Sequence, residues 1–497
     1  MFLWSCQLIE VLTEVILYSM MVFSPWAFGT TEEWAISIMN IAGYSLGILL
    51  LAKWIIRWRL GRWSVAPAPT TQPRHAEAKA NRNIPRLLTR FLVWLTFALL
   101  LYCAIGALNA RAVYHGTEQR FEFRDHLQWL PHSYDRLRTW KAFENYLALA
   151  LVFWATRDWL LGQTTPGDSR GNIAERNPLI LPARLRRLLW VLALNGALLG
   201  MEGILQRLEG SSRLLWLVKP TINYEAASQF GPYAYRSNAA QYFNLVWPIC
   251  LGFWWVLQRG SNMNDARRSR FRRGAQILLL PSAMIMAACP VISASRGGAL
   301  IAALQMIMVM IIFFVTYRRS RWRTKLVILL IAACTAAIAG FWGWEELAPR
   351  LKKASAFDLG GREIIYQNAS RMAQDYPVFG TGPGTFGPLY QFYLTSPDQD
   401  WIAQAHNDWL ETRITFGLVG LALILLALAT VLVRWFWPDG IAVSARLVIF
   451  FWLSLAGCLL HARFDFPFQV YSILFLFVLL SSILFCLSRR QAAARLH

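Results

Sequence analysis

Hydrophobic residues in this chain come in long runs separated by shorter polar stretches, the pattern of a protein that crosses a lipid bilayer repeatedly. A helix needs about 20 predominantly apolar residues to cross the bilayer core. On that criterion the sequence predicts twelve spans, at 5–27, 33–56, 87–108, 142–161, 188–206, 240–258, 275–294, 298–316, 326–344, 410–434, 447–463 and 469–488. The expected fold is all-α and polytopic, with about 12 transmembrane helices. The first run has Glu10 and Glu14 inside it and no basic segment before it, so it reads as a retained helix and not as a cleaved leader. Four regions follow: helices 1–5 over 1–206 with an Ala/Pro-rich cytoplasmic linker at 57–86, core helices 6–9 over 207–344, a lid loop over 345–409, and the last three helices over 410–497.

Composition agrees with that class. The chain is 56% hydrophobic and has a mean hydropathy of +0.37, yet its formal net charge is +21. A membrane protein holds both properties only if its basic residues are confined to loops, and 31 of the 49 lysines and arginines fall in 53–90, 157–187, 259–273, 318–325, 434–446 and 489–497. By the positive-inside rule these segments face the cytoplasm, together with both termini. Basic residues dispersed over short loops suit anionic headgroups, so membrane lipids are expected partners and nucleic acid is not. The seven cysteines lie in or beside apolar runs, with no spacing that suggests a disulfide framework or a metal site.

The opposite face receives three long loops, near 109–141, 207–238 and 344–409. In the last, Ile365, Ala369, Met372 and Tyr376 recur at helical spacing while Arg362, Gln367, Arg371 and Gln374 face elsewhere, which predicts a short amphipathic helix ended by Pro377. That helix is expected to lie over the membrane as a lid, the loop being too short for a soluble domain. Phe379 to Phe386 (FGTGPGTF) reads as a tight glycine-rich turn, either a plain turn or an anion nest.

Titratable chemistry gathers on this face. Arg236 lies in YAYRSN before the sixth span, and Arg296 in SASRGG between the seventh and eighth. The lid loop brings Arg362 and then His406, Asn407 and Asp408 in AHNDWLE. HARFDF, with His461 and Asp465, ends the eleventh span. Arginines beside a histidine at a lipid boundary suit a substrate with phosphate and a hydroxyl nucleophile, because guanidinium forks match phosphate oxygens and imidazole accepts a proton near neutrality. Each group has a plainer role open to it. A loop arginine can be a membrane anchor, His461 and Asp465 can pair with one another at a helix end, and Asp408 and Glu411 can cap the following helix or orient its loop. Arg296, in a two-glycine turn with almost no loop around it, is the arginine least easily explained as an anchor.

The sequence carries no G-x-x-x-x-G-K-[ST], H-E-x-x-H or G-x-S-x-G motif, which leaves ATP-driven transport, zinc proteolysis and serine hydrolysis without support. The order SASRGG, GREIIY, FGTGPGTF, AHNDWLE and a span beginning FGLVGL, closed by HARFDFPFQ, resembles the O-antigen ligase and O-antigen polymerase superfamily over about Arg236 to Gln469. The resemblance implies a bacterial inner-membrane glycosyltransferase of the GT-C type that needs no metal, nucleotide or other cofactor. It would take a glycan from undecaprenyl diphosphate on the periplasmic side and pass it to lipid A core or to a growing polysaccharide. It also implies that His406 is the general base and that Arg296 and Arg236 hold the diphosphate; Arg362, Asn407, Asp408, His461 and Asp465 stand nearby as candidates for a supporting role. Arg463 and Phe464 depart from the small residues usual after that histidine. Twelve spans also suit a lipid-linked oligosaccharide flippase, whose polar groups would line the bilayer midplane.

Overall fold

The computed structural model describes residues 2–59, 76–162, 181–260, 269–316, 322–354, 359–395, 401–437 and 440–488. They form an all-α polytopic membrane protein. In chain order the helices are α1 (Phe2–Trp26), α2 (Glu33–Arg59), α3 (Ala76–Leu108), α4 (Arg136–Leu161), α5 (Ala183–Glu209), α6 (Arg236–Gly260) and α7 (Ser269–Ile292). There follow α8 (Arg296–Thr316), α9 (Trp322–Ala354), α10 (Leu359–Asp375), α11 (Phe386–Tyr390), α12 (Asp408–Val433), α13 (Ala445–His461) and α14 (Tyr471–Cys486).

Every predicted span falls on one of these helices. Among the described residues α1, α2, α3, α5, α8 and α12 are long and apolar enough to cross a membrane, and α7, α13 and α14 carry shorter apolar stretches. In α6 the buried Asn238, Gln241 and Asn244 interrupt the apolar run, because this helix turns polar groups toward protein neighbours instead of lipid. Residues 60–75 of the expected linker lie outside the described residues. Its last part, 76–86, is the first turns of α3, where AEAKA is rich in good helix formers.

Three helices that carry candidate residues are locked together by one buried amide. Gln305 of α8 accepts from Trp247 Nε1 of α6 at 3.0 Å, and donates to the Asn244 carbonyl at 3.0 Å and to the Leu453 carbonyl of α13 at 3.2 Å. Asn244 donates in turn to the Gly298 carbonyl at 3.0 Å. Gly457 of α13 is what admits Gln305, since a Cβ there would run into the amide. Such hydrogen bonds are each modest, ~0.6 kcal/mol on average, but this set fixes the register of α6, α8 and α13. At the opposite end of the bundle the charges are paired: Lys53 bridges Glu10 and Asp158, Arg57 meets Asp158 at 2.7 Å, and Arg184 meets Glu10 at 2.6 Å.

The lid differs from its expected form. Ala369 and Met372 of α10 are buried and Arg371 and Gln374 exposed, as the periodicity requires. The helix packs into a second apolar core with Tyr134, Phe386, Leu389, Tyr390, Ala405 and Ile414. The loop from 109 to 135 supplies Tyr134 and an antiparallel hairpin, β1 (Ala112–His115) with β2 (Arg120–Phe123). Two loops thus build a small folded unit that neither is long enough to form alone. The glycine-rich turn is structural. Thr381 and Gly382 donate their N–H groups to the Ile414 and Thr415 carbonyls, both at 2.9 Å. Those carbonyls are free because α12 breaks at Gly417 (φ +60°), against which the Val378 carbonyl packs so closely that no Cβ would fit. Tyr102 seals the joint, donating toward the Phe379 and Phe416 carbonyls at 2.5 and 2.8 Å.

Candidate functional site

The three long loops meet at one end of the bundle, and the candidate residues meet with them. Asn407 caps α12, its side chain accepting from Leu410 N at 3.2 Å. Asp408 is buried and clamps the HARFDF turn by accepting from Phe468 N at 2.7 Å and Gln469 Nε2 at 3.1 Å. Its own N–H reaches the Ala462 carbonyl at 2.8 Å and the Asp465 carbonyl at 3.2 Å. Glu411 accepts from Ala405 N at 2.8 Å. These three polar groups are therefore used in shaping the loop. His406, between Ala405 and Asn407, keeps a side chain that is 29% exposed.

The His406 backbone is held in the left-handed region, φ +50°, which is uncommon for residues other than glycine, although His, like Asn and Asp, is found there more often than most. Tyr366 of α10 fixes it by donating to the His406 carbonyl at 2.9 Å. The ring is turned to the HARFDF turn, with Nδ1 3.4 Å from Asp465 Oδ1 and the Phe466 ring edge-on at 5.0 Å between centroids. Asp465 is buried and also accepts from Ser237 Oγ at the start of α6 and from Phe466 N at 3.1 Å. Burial alone would raise the Asp465 carboxyl, but the hydrogen bonds from His406 and Ser237, with the nearby His461 acting only through its charge, outweigh that and hold it below the usual carboxylate range.

The expected pairing of His461 with Asp465 does not form. His461 is 1% exposed, and neither ring nitrogen has a hydrogen-bond partner among the described residues. The reason lies in the turn. Phe464 N and Asp465 N fold back onto the His461 carbonyl at 2.9 and 3.1 Å, which carries the Asp465 side chain round toward His406. The imidazole of His461 lies under the N-terminus of α8 instead, where Gly297 leaves room for it: a Cβ there would sit 2.9 Å from Nε2.

The arginines approach from three elements. Arg296 opens α8 and is half-buried beside Ser295, whose hydroxyl caps Gly298 N at 3.1 Å and reaches Ser237 Oγ at 3.3 Å. Arg362 donates to the Phe464 carbonyl at 2.9 Å, which ties the lid helix to the HARFDF turn. Arg236 donates to the Ala227 carbonyl at 2.6 Å and is drawn toward the loop before α6. Tyr235 stacks on Phe466 at 5.5 Å with the rings 6° from parallel. Burial and Asp465 push its hydroxyl above the usual tyrosine range, and Arg362 and Arg296 act in the opposite sense. The centre thus joins His406, Asp465, Ser237 and Tyr235, with Arg296 and Arg362 at its edge. Ser237, Tyr235, Tyr366 and Phe466 were not singled out from sequence. Ser237 and Tyr235 flank Arg236 in YAYRSN, and Tyr366 stands four residues after Arg362, one helical turn away.

Fold and site define a membrane protein of many apolar helices with a histidine–carboxylate pair and arginines at one polar end. Residues 281–425 match the family model of the O-Antigen ligase, so the resemblance to the O-antigen ligase and polymerase superfamily holds over that stretch. No curated protein matches the chain. The matched stretch runs from α7 into α12 and takes in Arg296, Arg362 and His406, whereas Ser237, His461 and Asp465 lie outside it and join the site through the fold.

Proposed function

We propose that the protein is a glycosyltransferase of the inner membrane of a bacterium, with its site on the periplasmic face. It moves a glycan from undecaprenyl diphosphate to a hydroxyl of lipid A core or of a growing polysaccharide. The observation that carries this reading is the contact of His406 with Asp465 beside Arg296. A carboxylate on Nδ1 sets the tautomer in which Nε2 has a free lone pair. Nε2 then takes the proton of the acceptor hydroxyl as its oxygen attacks the anomeric carbon. The bond from that carbon to the diphosphate oxygen breaks, and the electron pair leaves with undecaprenyl diphosphate. Attack from the side opposite the leaving group inverts the anomeric centre. Arg296, with Arg236 and Arg362, meets the negative charge that grows on the diphosphate, where a preorganised cation has most effect. Asp408 and Asn407 act by holding the loop, and His461 by supporting the start of α8.

The gathering of these groups at one end of the bundle favours an enzyme over a flippase. The test is to reconstitute the protein in liposomes with an undecaprenyl-diphosphate-linked glycan and an acceptor. Release of undecaprenyl diphosphate without nucleotide hydrolysis supports the reading, and movement of intact donor across the bilayer would overturn it. Sizing the product separates the two forms of the reaction, since a ladder of repeats on the lipid carrier means a polymerase and a single transfer to core means a ligase.

A further inference from the structure

Behind the His406 loop lies a cavity of about 140 Å³ that none of the groups assigned above occupies. It is lined by Arg138 from the start of α4, by Trp401 and Gln404 just before His406, and by Glu411 and Gln469 at its base. Gly384 and Gly387 form part of its rim: Cβ atoms added there would come within 3.3 Å of the Arg138 and Ala403 carbonyls, respectively. We infer that this cavity is a subsite for one neutral sugar ring of the acceptor glycan, an assignment that rests on the glycosyltransferase reading for the word acceptor and on the cavity itself for the word sugar.

Size and chemistry both point that way. The volume is below the ~300 Å³ at which pockets for drug-sized ligands begin, so a single ring fits and an oligosaccharide does not. Trp401 is 47% exposed and offers an indole face, the surface on which the apolar C–H face of a sugar ring packs. Around it stand a guanidinium, two side-chain amides and a carboxylate, which can donate to and accept from ring hydroxyls. The Arg138 guanidinium is already paired with Asp135 at 3.3 Å, and the Glu411 carboxyl is held by Ala405 N, so a diphosphate or an acidic sugar gains little there.

Position assigns the ring to the acceptor. The His406 side chain faces Asp465, and Asp465 in turn reaches Ser237, which joins Ser295 beside Arg296. The cavity lies against the backbone that precedes His406, and none of those groups lines it. Its base is wired to the loop on both sides: Glu411 holds Ala405 N, and Gln469 donates to Asp408 Oδ1. A ring seated here therefore braces the segment that holds His406 in its left-handed conformation. A hydroxyl of the next sugar along the chain would be carried over the loop toward Nε2.

Saturation-transfer NMR on the full-length protein in nanodiscs tests this with methyl glycosides of glucose, galactose, mannose and N-acetylglucosamine. Wild type is expected to give transfer to at least one of the four. Trp401→Ala, at a partly exposed position, is expected to bind that glycoside roughly tenfold more weakly, the loss of about 1.4 kcal/mol, and Gln404→Ala to shift its contact pattern. His406→Ala is expected to leave binding unchanged. Transfer absent from all four glycosides, or equal in wild type and Trp401→Ala, overturns the subsite. Neither result touches the turnover of the lipid-linked donor. Conversely, a protein that binds a glycoside through Trp401 and never releases undecaprenyl diphosphate keeps the sugar site and sinks the transferase reading.

Discussion

His406 Nδ1 lies 3.4 Å from Asp465 Oδ1, so two residues 59 positions apart form one unit at the junction of the lid and the bundle. Asp465→Asn keeps the shape but cannot accept a proton-bearing Nδ1 in the same way. It is expected to lower turnover on the order of 10²-fold, the scale of a misoriented general base. Steady-state rates with lipid-linked donor check this, and a rate within twofold of wild type would count against the unit.

The same carboxylate sets a pH rule. Its native pKa lies below the unfolded value of about 3.9, so its ionised form stabilises the fold at every pH above that value. The contribution fades only as pH falls through the lower native value. The fall in unfolding temperature caused by Asp465→Asn should therefore be present at pH 5 as well as at pH 8 in one detergent. A fall seen at pH 8 and missing at pH 5 would contradict the assignment.

The left-handed backbone of His406 costs about 1–2 kcal/mol in an L-residue with no local compensation. His406→Gly removes that cost while adding chain entropy to the unfolded state. Its unfolding temperature should lie above that of His406→Ala, which loses the same contact with Asp465 and keeps the left-handed backbone, while activity is lost in both. Equal unfolding temperatures in the two variants would mean that the backbone at this position carries no strain.

Gly417→Val places a branched side chain against the Val378 carbonyl and forces the lid turn off α12. The cost should reach at least ~2 kcal/mol, since backbone on both sides resists movement. Limited proteolysis reads this directly, with cleavage between 377 and 395 faster in the variant. Equal cleavage would show that the turn is not anchored at the helix break.

Arg296→Lys keeps the charge and loses the planar fork. If Arg296 meets the diphosphate, the KM for lipid-linked donor should rise roughly tenfold with the KM for acceptor unchanged. A change confined to the acceptor would move Arg296 to the other side of the reaction.

How far the sequence can be read follows from the distance over which each feature is encoded. The apolar runs are local, so each predicted span was legible as a helix, and so was α10, where Ala369 and Met372 mark one face. The break at Gly417 was not legible, because FGLVGL reads as continuous helix until the carbonyls it frees are seen accepting from Thr381 and Gly382. The second core was hidden for the same reason: Thr139 donates to the Pro383 carbonyl across 244 positions, and no local pattern records that. Within the site, His406, Arg296 and Arg362 stood out by their motifs. The partner of Asp465 did not, since His461 is nearer in sequence and only the fold of the turn directs the carboxylate to His406. Ser237 was overshadowed by the arginine beside it.

In the proposed reaction one side chain of the AHND stretch, that of His406, carries the proton. The most direct measurement compares turnover and donor retention for purified His406→Ala. Release of undecaprenyl diphosphate is expected to fall by at least ~10²-fold while the lipid-linked donor still copurifies at the wild-type level. Wild-type turnover in that variant would contradict that role of His406.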